Sequence, residues 1–266
     1  MRTGHRTAIA LALSAALAAP GVLAAQGGPA ETSPGFALQQ EEEPDLGWRG
    51  SADLGFTLTE GNSETTSLSA AANIVWRAEG SRWTLDGSLV RTTTDGEEVA
   101  NRGDASVQYD WFASGRSYLF ARGAASYNEP AGIDLRLAPA VGAGWQALGR
   151  EGMELSLEGG ASWIRDELSD GTSTEDVFLV ASESFHLQVA EDTDIAQAVS
   201  FRPSTDDFGD FLLDGRVKLT TMITEALGLQ VSLRDQYDSE PFVDPETGVQ
   251  REKNDLTFVT GVTFRF

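Results

Sequence analysis

From Leu46 to Phe266 the chain alternates apolar and polar side chains almost without a break, and a period of two admits few folds. The clearest instance is the final stretch. Leu256, Phe258, Thr260, Val262, Phe264 and Phe266 share one face of a strand, and Thr257, Val259, Gly261, Thr263 and Arg265 share the other. At the edge of a soluble sandwich so apolar a strand would be a template for aggregation. In a closed membrane barrel one face meets lipid and both edges are paired. The rest of the chain decides between the two.

The pattern predicts twelve strands, at about 46–59, 65–77, 83–90, 103–113, 117–127, 133–147, 152–165, 176–189, 193–203, 210–223, 227–238 and 254–266. No stretch of helical period interrupts them. Even-numbered connectors are short, as in Glu79–Ser81 and Ser114–Arg116. Odd-numbered ones are longer on average, with Asp95–Arg102 and Ser239–Asn254 at the upper end. Short turns on one rim, longer loops on the other and an even strand count make an all-β, closed, up-and-down antiparallel transmembrane barrel. A sandwich has no reason to alternate its connectors this way.

The first residues carry Arg2, His5 and Arg6, then an apolar run from Thr7 to Ala19, then small residues to Ala25. That order predicts a secretory signal peptide over residues 1–25. Residues 26–45, with Glu41, Glu42 and Glu43, read as an acidic, aperiodic tail on the periplasmic side, leaving 46–266 for the barrel. Cysteine is absent, which removes disulfides, thiolate metal sites and Cys nucleophiles. No later run is long enough for a membrane helix. Loss of Arg2 and Arg6 with the leader leaves 17 basic residues against 41 acidic ones, a poor surface for nucleic acid. The mean hydropathy of −0.22 does not count against a barrel, whose lipid face is diluted by alternation.

Trp48, Trp76, Trp83, Trp111, Trp145 and Trp163 all fall on the apolar face, mostly near strand ends, where interfacial belts sit. Glu183 and Gln197 also fall on that face, and a register-flipping bulge is the simplest expected remedy.

The hairpin Gly55-Phe-Thr-Leu-Thr-Glu-Gly-Asn-Ser-Glu-Thr-Thr-Ser-Leu-Ser69, with Arg82-Trp-Thr-Leu85 and the terminal strand, resembles the YdiY-like family. These are salt-induced outer-membrane proteins grouped under domain of unknown function 481. The resemblance covers about 46–266 and implies a monomeric barrel in the bacterial outer membrane, surrounded by its lipid. It supplies no catalytic residues. Phe258, Val262, Phe264 and Phe266 look like the signal by which such proteins are handed to the barrel-assembly machinery.

Alternation turns Arg49, Asp53, Arg77, Asp86, Asp104, Arg122, Arg136, Glu154, Glu158, Asp214, Arg216 and Arg234 into the lumen, with Asp110, Asp134, Lys218 and Arg265. Such a balanced set is either an ion-pair plug or the wall of a narrow pore for small ions or solutes. Two other classes stay open. A lipid hydrolase needs an activated nucleophile, yet His186 is expected inward near the periplasmic end, and Asp206, Asp207 and Asp210 suit cations better than catalysis. A loop-borne adhesin would use Ser239–Asn254, where Pro241, Phe242, Val243 and Pro245 stand among charges. The reading favours a structural or envelope-stress barrel or a narrow pore, without catalysis, metal or cofactor.

Overall fold

In the computed structural model, residues 46–59, 65–241, 243, 248, 250 and 252–266 are described. The leader and tail expected over 1–45 lie outside them.

Backbone pairing runs all the way round. The strands are β1 (Gly47–Thr59), β2 (Thr65–Ala78), β3 (Ser81–Thr94), β4 (Glu97–Phe112), β5 (Ser117–Asn128), β6 (Ile133–Leu137) and β7 (Ala140–Arg150). They continue as β8 (Met153–Leu168), β9 (Ser173–Ala190), β10 (Thr193–Pro203), β11 (Phe211–Met222), β12 (Leu227–Asp238) and β13 (Asn254–Arg265). Each is antiparallel to its neighbour, β4 joins β5, and β1 pairs with β13 through Ser51↔Arg265 to Leu54↔Val262, so the sheet closes.

β6 and β7 are two halves of one stave, both lying between β5 and β8. The break falls at Ala138–Pro139, where proline has no N–H for the ladder. Carbonyl and amide contacts bridge the gap: Ala138 N–H donates to Ala124 O at 2.9 Å and Trp163 N–H to Pro139 O at 3.1 Å. Counting that stave once gives the twelve that alternation predicts.

One connector differs from expectation. Asp95–Arg102 is not a loop: β3 and β4 run on to a two-residue turn in which Asp95 and Gly96 take φ of 52° and 82°. Positive φ at both positions is the hairpin geometry that an Asp-Gly pair favours.

The apolar face points outward. Leu54, Phe56, Leu119, Val141, Leu229, Val231, Phe258 and Val262 are all exposed. Aromatic pairs ring the short-turn end, with Trp48–Trp76 at 6.0 Å, Trp83–Tyr109 at 4.8 Å and Phe264–Phe266 at 6.4 Å. Toward the other end Phe201, Phe211 and Tyr237 form a chain with spacings of 5.5 and 5.6 Å. A closed sheet with an apolar outside and aromatic belts spans a bilayer; this is an outer-membrane β-barrel.

The expected bulge at Glu183 and Gln197 is absent. β8 and β9 pair without a register shift, and β9 and β10 shift only at Thr193/Asp194. Glu183 shares rungs with Leu157 and Val199, and Gln197 with Phe185 and Val217. Rung partners lie on one face, so both polar residues stay outside.

Candidate functional site: the charged bore

Beyond the register shift at Thr92/Thr93 the even-numbered residues of β4 point inward, and at the short-turn end they meet a wall of aromatics. Asp110 is wholly enclosed, accepting from Arg82 Nε at 2.7 Å and from Gln108 Nε2 at 2.7 Å. Gln108 also donates to Glu158 Oε1 at 2.8 Å and accepts from Arg122 Nε at 2.5 Å. Arg122 Nη2 reaches Glu158 Oε2 at 2.6 Å, and the Tyr118 hydroxyl donates to Glu158 Oε1 at 3.0 Å. Arg82 lies over the rings of Phe112 and Tyr118, and Arg77 lies over Phe112 at 5.3 Å. Gly144 makes this packing possible, since a Cβ there would strike the Tyr118 ring. Each charge in this knot has a partner, which is what offsets its removal from bulk water.

A second set of contacts crosses the bore. Arg234 of β12 donates through Nη1 to Asp104 of β4 at 2.6 Å and through Nη2 to Asp214 of β11 at 2.7 Å. Ser88 supports Asp104 at 2.8 Å, and Asn73 donates to Asp86 at 2.8 Å. Lys218 meets Asp53 at 3.0 Å, while Arg265 and His186 both face Asp194. Nearer the long loops, Arg136 holds Asp166 through two nitrogens at 2.5 and 2.7 Å. Asn128 donates to Asp255 at 2.9 Å, with Arg102 behind it at 3.7 Å.

Around these contacts runs a cavity of about 770 Å³. It extends from Arg82, Glu154 and His186 near the short turns to Glu240, Pro241 and Lys253 in the longest loop. On the loop rim, Asp210 is half-buried, and burial is the main force holding its carboxyl above the ordinary range. The nearby Glu240 and Asp238 charges add to it, and a hydrogen bond from Ser239 opposes it.

Of the residues that alternation assigned to the lumen, Asp53, Asp104, Arg122, Arg136, Glu158, Asp214 and Arg234 form ion pairs. Asp86 has its Asn73 partner and Arg77 its ring. Arg49, Glu154 and Arg216 border the cavity with no oppositely charged group in ion-pair range among the described residues. Asp134 departs from expectation. It sits at a register shift between Ile133 and Leu135 and is exposed.

Sequence reasoning missed Arg82, Arg102, Asp166, Arg202 and Asp255, all of which border the cavity. Arg82 and Arg102 fell just outside strands drawn too short, and Asp166 just past the end of the strand drawn to 165. Arg202 and Asp255 were legible: Arg202 follows Ala198 and Ser200 inward, and Asp255 shares the parity of Thr257 and Val259.

The family model described as protein of unknown function, DUF481, matches residues 52–266. The uncharacterized protein YdiY of Escherichia coli (strain K12) is 24% identical over 216 residues, 80% of this chain and 82% of that one. Among solved structures, the NanC porin covers 80% of this chain and 98% of its own at 13% identity, with a TM-score of 0.49. An outer membrane channel of Pseudomonas putida F1 covers 88% of this chain and 99% of its own at 13% identity, with a TM-score of 0.48.

Proposed function

The chain belongs to the DUF481 family, and from the bore of this member we propose that it is a narrow channel for small polar solutes. The observation that carries this reading is the cavity of about 770 Å³, which reaches from the short-turn end to the longest loop with charged walls. A lumen filled only for stability has no need of that space, because apolar packing or paired charges would close it. The bridge from Asp104 through Arg234 to Asp214 crosses the bore and makes the passage narrow. Solutes then move through an aqueous slot beside fixed charges, whose sign and spacing select among them. The leader over 1–25 and the terminal Phe signal fit the same account as the route by which the barrel reaches its membrane.

The test is single-channel recording of the refolded 46–266 chain in planar bilayers, after heat-modifiable mobility has shown that it is folded. Small, reproducible steps are expected, and Arg234→Ala should enlarge them by opening the crossing. Silence from folded parent and variant alike would refute the channel and leave a structural barrel.

A further inference from the structure

Resting on the channel reading, we propose that the bore takes solutes bearing a carboxylate or phosphate group, with Arg202 and Arg216 as successive contacts on the β10–β11 wall. Both side chains border the cavity. Neither has a carboxylate within ion-pair distance among the described residues, unlike Arg82, Arg122, Arg136 and Arg234.

Arg202 makes a hydrogen bond from Nε to Ser200 Oγ at 3.2 Å, and its two terminal nitrogens donate to no partner among the described residues. The charges acting most on it are Asp214 and three further guanidiniums, those of Arg122, Arg136 and Arg234. Arg234 donates to Asp214 twice, both times at Oδ2, at 2.7 and 3.0 Å, and no ion pair joins Asp214 to Arg202 among the described residues. Arg216 stands directly opposite Arg234 on the β11–β12 ladder, like charge against like. It is open to the bore and donates no hydrogen bond among the described residues. Like charges on one rung disfavour the fold, and an unpaired cation drawn away from bulk water does so too. An anion supplied from solution relieves both.

Guanidinium forks match the two oxygens of a carboxylate or phosphate, and a single ammonium does not. The register gives the spacing. Arg202 pairs with Leu212 and Arg216 with Ala198, so the two are four residues apart along the wall, roughly 13 Å at strand rise. The Ser200–Asp214 rung lies between them.

The outer mouth pulls the other way, because Asp238, Glu240 and Glu252 border it. Charges facing open water are screened within about 8 Å at physiological salt, whereas charges inside the bore are screened less. The wall guanidiniums therefore decide.

Two measurements on the folded 46–266 chain test this. In a potassium chloride gradient the reversal potential should have the sign of anion preference. Arg202→Gln together with Arg216→Gln should cut the anion-to-cation permeability ratio about two- to fourfold, and the Lys pair should keep it. In micelles, calorimetric titration with inorganic phosphate should show binding that the Gln pair loses. Neither residue holds a carboxylate among the described residues, so the variants orphan no acid there, and heat-modifiable mobility verifies their fold. Cation preference, or phosphate binding unchanged in the Gln pair, overturns the assignment while the channel stands. Phosphate binding that depends on both arginines in a barrel that never conducts keeps the site and removes the channel.

Discussion

Asp110 and Arg216 are both inward by parity, yet their surroundings oppose each other. Asp110 has no exposure and holds Arg82 and Gln108. Replacing it with Ala strands a guanidinium in a closed knot, and we expect a loss of about 3–5 kcal/mol. Arg216 has no such dependants among the described residues, and Arg216→Ala should stay within about 0.5 kcal/mol. Urea unfolding of the two variants in micelles compares them directly; similar losses would mean that the Arg82–Asp110 pair is not what stabilises this end. The sequence shows which residues face inward, because parity needs only the strand. It does not show which acid meets which base. Arg122 and Glu158 lie 36 residues apart, and Arg234 and Asp104 lie 130 apart, so the pairing depends on closure and register.

Local chemistry fixes more at the scale of strands and turns. The Asp95-Gly96 hairpin and the break at Pro139 each follow from one residue's backbone, and both signals stand in the sequence. Thr92, Thr93 and Thr94 blur the alternation before the first, and the strand expected over 133–147 runs straight through the second. Glu183 is the reverse case. Sequence marks it as a misfit on the lipid face, and the unbroken β8–β9 register keeps it there. Its rung neighbours are Leu157 and Val199, neither of which offers a hydrogen bond from its side chain. Glu183→Leu should therefore stabilise the barrel by about 1–2 kcal/mol, at the lower end of the cost of lipid-facing charge. Unfolding midpoints in lipid vesicles read the change. A destabilised variant would mean that the carboxylate has a partner in the membrane.

Closure is a property of the whole molecule, and it is thinnest at one seam. β1 and β2 pair over thirteen rungs, from Gly47↔Arg77 to Thr59↔Thr65, whereas β1 and β13 pair over four. Phe266 extends that seam: Gly50 N–H donates to its carbonyl at 2.9 Å, and its own N–H donates to Gly50 O at 3.1 Å. Its ring lies over Gly50, so close that a Cβ on residue 50 would sit 2.6 Å from it. The residue that sequence marks as an assembly signal thus also has a mechanical part, and two variants separate the roles. Deleting Phe266 removes both seam hydrogen bonds, each worth about 1 kcal/mol, from a junction with few others. Phe266→Ala keeps them and removes only the ring. In micelles, where no assembly machinery is present, the deletion should lower the yield of heat-modifiable barrel and Phe266→Ala should fold nearly as well as the parent. In cells the signal reading requires both to leave unfolded chain in the periplasm. Equal refolding of all three in micelles would remove the seam's claim on Phe266. Normal assembly of Phe266→Ala in cells would remove the signal's.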